Sequence, residues 1–187
     1  ARNKFDDLEK ALQTDRVFFG KLEQLLDPGT MGFELPVMEF PESGPILNLG
    51  DYQPVRGYLH STSLRFSYGS NKGRPRDDWQ QVAADLPPAL MITELESLGF
   101  GAILIHRDAF SDRAQSLVRF LAESGRGQMI EDETNGTRVC IRLEPADPPR
   151  LPKINEYIPI DFGDGWDRWD LTRTHSRRWT TGLGKVA

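Results

Sequence analysis

Apolar positions in the first part of the chain recur at helical spacing. Phe5, Leu8, Leu12, Phe19, Leu22 and Leu26 fall on one stripe with charges between them, which predicts a helix over Lys4–Leu26. Thr14-Asp15 offers a cap that would split it into two helices, because an Asp carboxylate accepts from the free amides of a helix start. Asp27-Pro28-Gly29 ends it. Met31–Glu39 then reads as a strand in which Pro36 limits pairing, and residues 40–53, rich in Pro and Gly, as irregular. The aromatic segment Arg56–Tyr68 predicts extended structure at Tyr58–His60 and Leu64–Phe66, interrupted near Ser61–Ser63, with a loop over Gly69–Pro75.

Further along, helix and strand patterns alternate. Asp77–Asp85 predicts a short helix with Trp79, Val82 and Ala83 inward. Pro88 opens another at a position where its missing N–H costs nothing, Met91, Leu95 and Leu98 form its stripe, and Gly99 caps it with Phe100 folding back. Ala102–Ile105 is a continuous apolar run, the pattern of a strand buried on both faces. Ser111 or Asp112 caps a helix carrying Ala114, Leu117, Val118 and Leu121, stopped at Gly125. Met129–Asp132 and Thr137–Leu143 form a hairpin around Asn135-Gly136, with Val139, Ile141 and Leu143 facing one way and Arg138, Cys140 and Arg142 the other. This order implies an α/β fold, a mixed β-sheet flanked by helices in a Rossmann-like arrangement of two or three layers. After Glu144, Pro145, Pro148, Pro149 and Pro152 suggest a linker, and Tyr157–Ala187 reads as the start of a β-type unit. The division expected is therefore 1–144 and 145–187.

Composition removes several function classes. The apolar runs are a few residues long, far short of the roughly 18 that span a bilayer. A net charge of −5 without a long basic stripe argues against nucleic-acid binding. Cys140 is the only cysteine, so neither an internal disulfide nor a multi-cysteine zinc site can form. The chain opens without Met or a signal peptide and stops in mid-pattern at TTGLGKVA, which reads as a piece of a longer protein.

Candidate chemistry concentrates in Asp51–Gly69, DYQPVRGYLHSTSLRFSYG. Tyr58, His60, Arg65 and Tyr68, with Lys72 and Arg74 beyond, can stack on a sugar and pair with phosphate. The competing reading makes Tyr58, Leu64 and Phe66 core residues with exposed charges around them. His106-Arg107-Asp108 and Asp161-Phe162-Gly163 match two protein-kinase triplets, but Arg113 stands where the magnesium-binding Asn belongs, and no Gly-rich phosphate loop precedes them. His106 and Asp108 keep their interest for another reason. They lie where a buried strand exits, and open α/β sheets bind ligands at such ends. The three histidines have no metal spacing, and Ser61 and Ser63 lack a nucleophile elbow. No catalytic residue, metal or cofactor is expected.

Four segments in order, FELPVMEFPE, DYQPVRGYLHSTSLRFSYG, WQQVAADLPP and LESLGFGAILIHRDAF, resemble the C-terminal extracytoplasmic region of bacterial polytopic membrane proteins of the GT-C glycosyltransferase class. The tail DFGDGWDRW…RRWTTG resembles the β-rich unit that often follows. Relatives carry labels such as phosphoglycerol transferase or sugar translocase. The resemblance covers Gly32–Leu121 and, more weakly, the tail. It implies a periplasmic or cell-surface domain tethered to an upstream transmembrane region, with a lipid-linked sugar or glycan as partner. In that class the catalytic carboxylate lies among the membrane helices, so the domain would position substrate or partner in cell-envelope glycan assembly without performing the chemistry. The sulfatase-type metal fold of the phosphoglycerol transferases has no match here, so that label implies no mechanism. The alternatives are a free-standing sugar- or phosphate-binding module and a purely structural assembly domain.

Overall fold

Helix α1 (Arg2–Leu25) leads through a Gly29 turn into strand β1 (Met31–Leu35), and the chain continues through β2 (Glu39–Phe40), α2 (Arg56–His60), β3 (Arg65–Phe66) and β4 (Ser70–Asn71). Helices α3 (Asp78–Ala84) and α4 (Pro88–Ser97) follow, then β5 (Phe100–His106), a 3-10 turn (Arg107–Ala109), α5 (Gln115–Glu123), β6 (Met129–Glu131) and β7 (Arg138–Arg142). The computed structural model describes residues 2–68, 70–71 and 78–150, together with the short strands β8 (Asp170–Leu171) and β9 (Ser176–Arg177). The chain divides into two units, 1–155 and 156–187. In the second, β8 and β9 pair antiparallel; the remainder of the expected linker and β-type unit beyond residue 150 lies outside the described residues.

The first unit is built on a five-stranded mixed sheet in the order β3-β1-β5-β7-β6. β1 is parallel to both β3 and β5, while β7 runs antiparallel to β5 and β6. Side-chain alternation divides the sheet into two apolar faces. Phe33, Ile103, Ile105, Val139 and Ile141 meet α4 and α5 through Met91, Leu95, Leu98 and Leu121. Ala102, Leu104 and Cys140 meet α1 through Phe18, Phe19, Leu22 and Leu26. Helices on both faces make this a three-layer α/β fold, the natural way to cover a central strand as apolar as β5, which is buried throughout. A separate two-stranded pairing joins β2 and β4 in parallel.

Several elements depart from the sequence reading. Thr14 and Asp15 do not break α1: the Thr14 hydroxyl donates back to the Lys10 carbonyl at 3.0 Å, and Asp15 is turned into the protein at 2 % exposure. The apolar stripe of α1 has two fates, because Phe19, Leu22 and Leu26 are buried while Phe5, Leu8 and Leu12 are exposed. Tyr58–His60, expected to be extended, is helical instead. Gly57 brings that helix against the Phe66 ring, which lies 2.9 Å from where a Cβ would stand, and His60 stacks on Phe19. On α3, Ala83 is buried and Trp79 packs on Phe33 and Phe100, but Val82 faces outward at 63 %. Phe100 is the first residue of β5 and is buried in the same cluster as Leu95 and Leu98 at the end of α4, after Gly99 at φ 89°. Ahead of α5, the Asp112 carboxylate receives the amides of Ala114 and Ser116 at 2.9 and 3.0 Å, which pulls its pKa down.

Candidate functional site

The carboxyl ends of β1 and β5 form a topological switch point. From β1 the chain leaves by way of α2, on the α1 side, to β3 at the sheet edge, whereas from β5, on the other flank of β1, it leaves through the 3-10 turn to α5 on the opposite side. Connections that leave adjacent strands on opposite faces open a crevice there. Three polar side chains point from the sheet into the α1 side of this crevice: Glu34 from β1, His106 from β5 and Arg138, the direct cross-strand partner of His106, from β7. All three are at least 95 % buried, with exposures of 2, 3 and 5 %.

Burial of charge on this scale requires pairing. Arg138 supplies it at the centre. Its Nη1 donates to Asp15 of α1 at 2.6 Å, its Nε and Nη2 reach Asp132 at 2.9 and 2.8 Å, and its guanidinium lies 4.7 and 5.1 Å from the ring centroids of Phe18 and Phe19. Asp15 also receives Arg56 Nη1 of α2 at 3.1 Å and has His60 Nε2 at 3.8 Å. Beside this network His106 Nε2 meets Glu34 Oε2 at 3.2 Å, and the second Glu34 oxygen has no partner among the described residues. Burial pushes the Glu34 carboxyl above its ordinary pKa, and the contact with His106 offsets only part of that.

Outside His106, a narrow cleft of about 30 Å³ is walled by Leu49, Gln53 and Arg56 on one side and by Asp108, Asn135, Thr137 and Arg138 on the other. Asp108 is held at 2.7 Å by Arg113, whose other terminal nitrogen donates to the Gly136 carbonyl at 2.7 Å. On the opposite side of the sheet an apolar groove of about 320 Å³ runs between Leu35, Pro36, Met91, Phe110 and Leu117.

The sequence-predicted ligand residues do not converge. His106 and Asp108 line the cleft. Tyr58 donates its hydroxyl to the Phe66 carbonyl and packs edge-on against the Phe66 ring, and Tyr68 donates to the Asp51 carbonyl at 3.2 Å; burial raises both phenol pKa values. His60 is packed against Phe19, and Arg65 is exposed on β3. Lys72 and Arg74 lie outside the described residues. Glu34, Asp15, Asp132 and Arg138 were not singled out as site residues, although a carboxylate inside the apolar run MGFEL and an arginine alternating against Val139 and Ile141 were visible signals. Cys140 sits under the same helix, its thiol pushed up to about 12 by burial and so unreactive. Among the described residues no group of His, Cys, Asp and Glu is placed to hold a metal, and no helix is long and apolar enough to cross a membrane.

Fold and site together define an open α/β domain with a buried ion network at its switch point. No protein-family model matches the chain, nor does any curated protein or solved structure.

Proposed function

We propose that this chain is an extracytoplasmic accessory domain of a membrane glycosyltransferase-like protein acting in cell-envelope glycan assembly, and that it positions a substrate or partner while the transfer chemistry is done elsewhere. The ordered segments from FELPVMEFPE to LESLGFGAILIHRDAF motivate the reading. The observation that carries the accessory role is the pairing at the switch point. Asp15, Asp132 and Arg138 are committed to one another, Glu34 to His106, and the cleft beside them has room for about two waters, not for a sugar ring and a nucleophile.

The test uses the full-length protein in intact cells. Cys140 is buried and unreactive, so a Leu47→Cys variant, at a site 64 % exposed, provides a reporting thiol within this domain. A membrane-impermeant maleimide should label it from outside the cytoplasmic membrane. Labelling that occurs only after that membrane is ruptured overturns the proposal.

A further inference from the structure

The cleft at the switch point has an imbalance of hydrogen-bonding groups. Its one lining carboxylate, Asp108, is neutralised by Arg113 at 2.7 Å. Arg138 contributes mainly charge, because each of its three nitrogens is already turned to Asp15 or Asp132. Thr137 spends its hydroxyl on Asn135 Oδ1, whereas Arg56, Gln53 and Asn135 keep N–H groups without an acceptor among the described residues. Arg56 uses Nη1 on Asp15 and keeps its remaining N–H groups. Gln53 has its whole amide uncommitted, and Asn135 uses only Oδ1, which accepts from Thr137 at 3.0 and 2.7 Å. His106 is held by Glu34 through Nε2 with its side chain 4 % exposed, and its Nδ1 has no hydrogen-bond partner among the described residues. These groups come from three separate stretches, the β1-to-α2 connection, the end of β5 and the β6–β7 turn.

Donors lining one cleft from separate stretches, with Asp108, Asp15 and Asp132 paired to arginines and Glu34 held by His106, are an arrangement that recognises an anionic oxygen. We propose that this crevice is an oxyanion subsite. One oxygen of a phosphate or carboxylate group enters it and accepts from Arg56, Gln53, Asn135 and His106, while the rest of the ligand stays at the mouth. The interior of about 30 Å³ sets that limit, since it is space for about two waters and not for a whole phosphate or carboxylate group.

The experiment titrates the complete chain with inorganic phosphate and, separately, with acetate at constant ionic strength, following the His106 ring resonances by NMR. A saturable shift with either anion supports the subsite, and the tighter of the two identifies the group it takes. Gln53→Glu places a carboxylate in the cleft at a half-buried position and should weaken binding by at least about a hundredfold, with an unchanged melting curve in the absence of anion. Should Gln53→Glu fail to fold, Asn135→Ala in the exposed turn should still cost about three- to tenfold for one lost hydrogen bond. The absence of a saturable shift with both anions, or wild-type affinity in the folded variant, overturns the proposal.

Discussion

Glu23 shows how far a single side chain can depart from its sequence context. It is one of several charges on α1, and spacing alone marks it as solvated. In the fold its Oε1 receives the amides of Thr62 and Ser63 at 2.6 and 2.7 Å and the hydroxyls of Ser61 and Ser63 at 2.8 and 3.0 Å. It thereby closes the turn between α2 and β3. These bonds, led by the Ser63 amide, pull its carboxyl down to about 2 from an ordinary 4.5. A depressed carboxyl stabilises the fold above its unfolded pKa and stops doing so as pH falls through its folded one. Glu23→Gln should therefore lower the urea midpoint at neutral pH. The gap from wild type should shrink between 4.5 and about 2. An equal gap at both ends of that window would mean that the carboxylate charge plays no part. The interruption near Ser61–Ser63 was legible from its serines; the group that stabilises it was not, because it lies 38 to 40 positions away in the chain.

At the scale of elements, α1 shows what periodicity can and cannot establish. The stripe from Phe5 to Leu26 specifies a helix correctly, because helix formation depends on local spacing. It does not say where along the helix the sheet begins. Leu22 is 1 % exposed against the sheet and Leu8 is 54 % exposed on the same stripe. Leu22→Ala should cost about 2–5 kcal/mol in chemical denaturation, whereas Leu8→Ala should stay within about 0.5 kcal/mol. Comparable losses at both sites would show that the first turns of α1 are covered in solution. Strand β5 and the β6–β7 hairpin were the most legible elements, the first from an unbroken apolar run and the second from Asn-Gly between alternating residues. Helix α2 was misread because its five residues are too few to show a period, and its conformation is set by Gly57 resting on Phe66 and Arg56 reaching Asp15.

For the molecule as a whole, the Asp15–Arg138 pair joins residues 123 positions apart and ties the first helix to the last strand of the sheet in chain order at its polar end. Arg138→Met keeps much of the side-chain volume but leaves Asp15 and Asp132 facing each other's charge at 3 and 0 % side-chain exposure. Removing one partner of a buried network typically costs about 3–5 kcal/mol, far more than the net worth of the pair. Urea denaturation should show that loss, and combining Arg138→Met with Asp15→Asn and Asp132→Asn should recover part of it. A single variant as stable as wild type would mean that water reaches the carboxylates.

Chain-local physics sufficed for the α/β class, for the order of most elements and for the two-faced alternation of β7. Spacing, turn residues and apolar runs act over a few positions and are written directly in the sequence. The strand order, and with it the switch point between β1 and β5, was decided only in three dimensions. So was the choice of partners for Glu34, Asp15 and Arg138. A buried charge is tolerable only beside its counter-charge, and here the counter-charges are brought together by packing across the sheet.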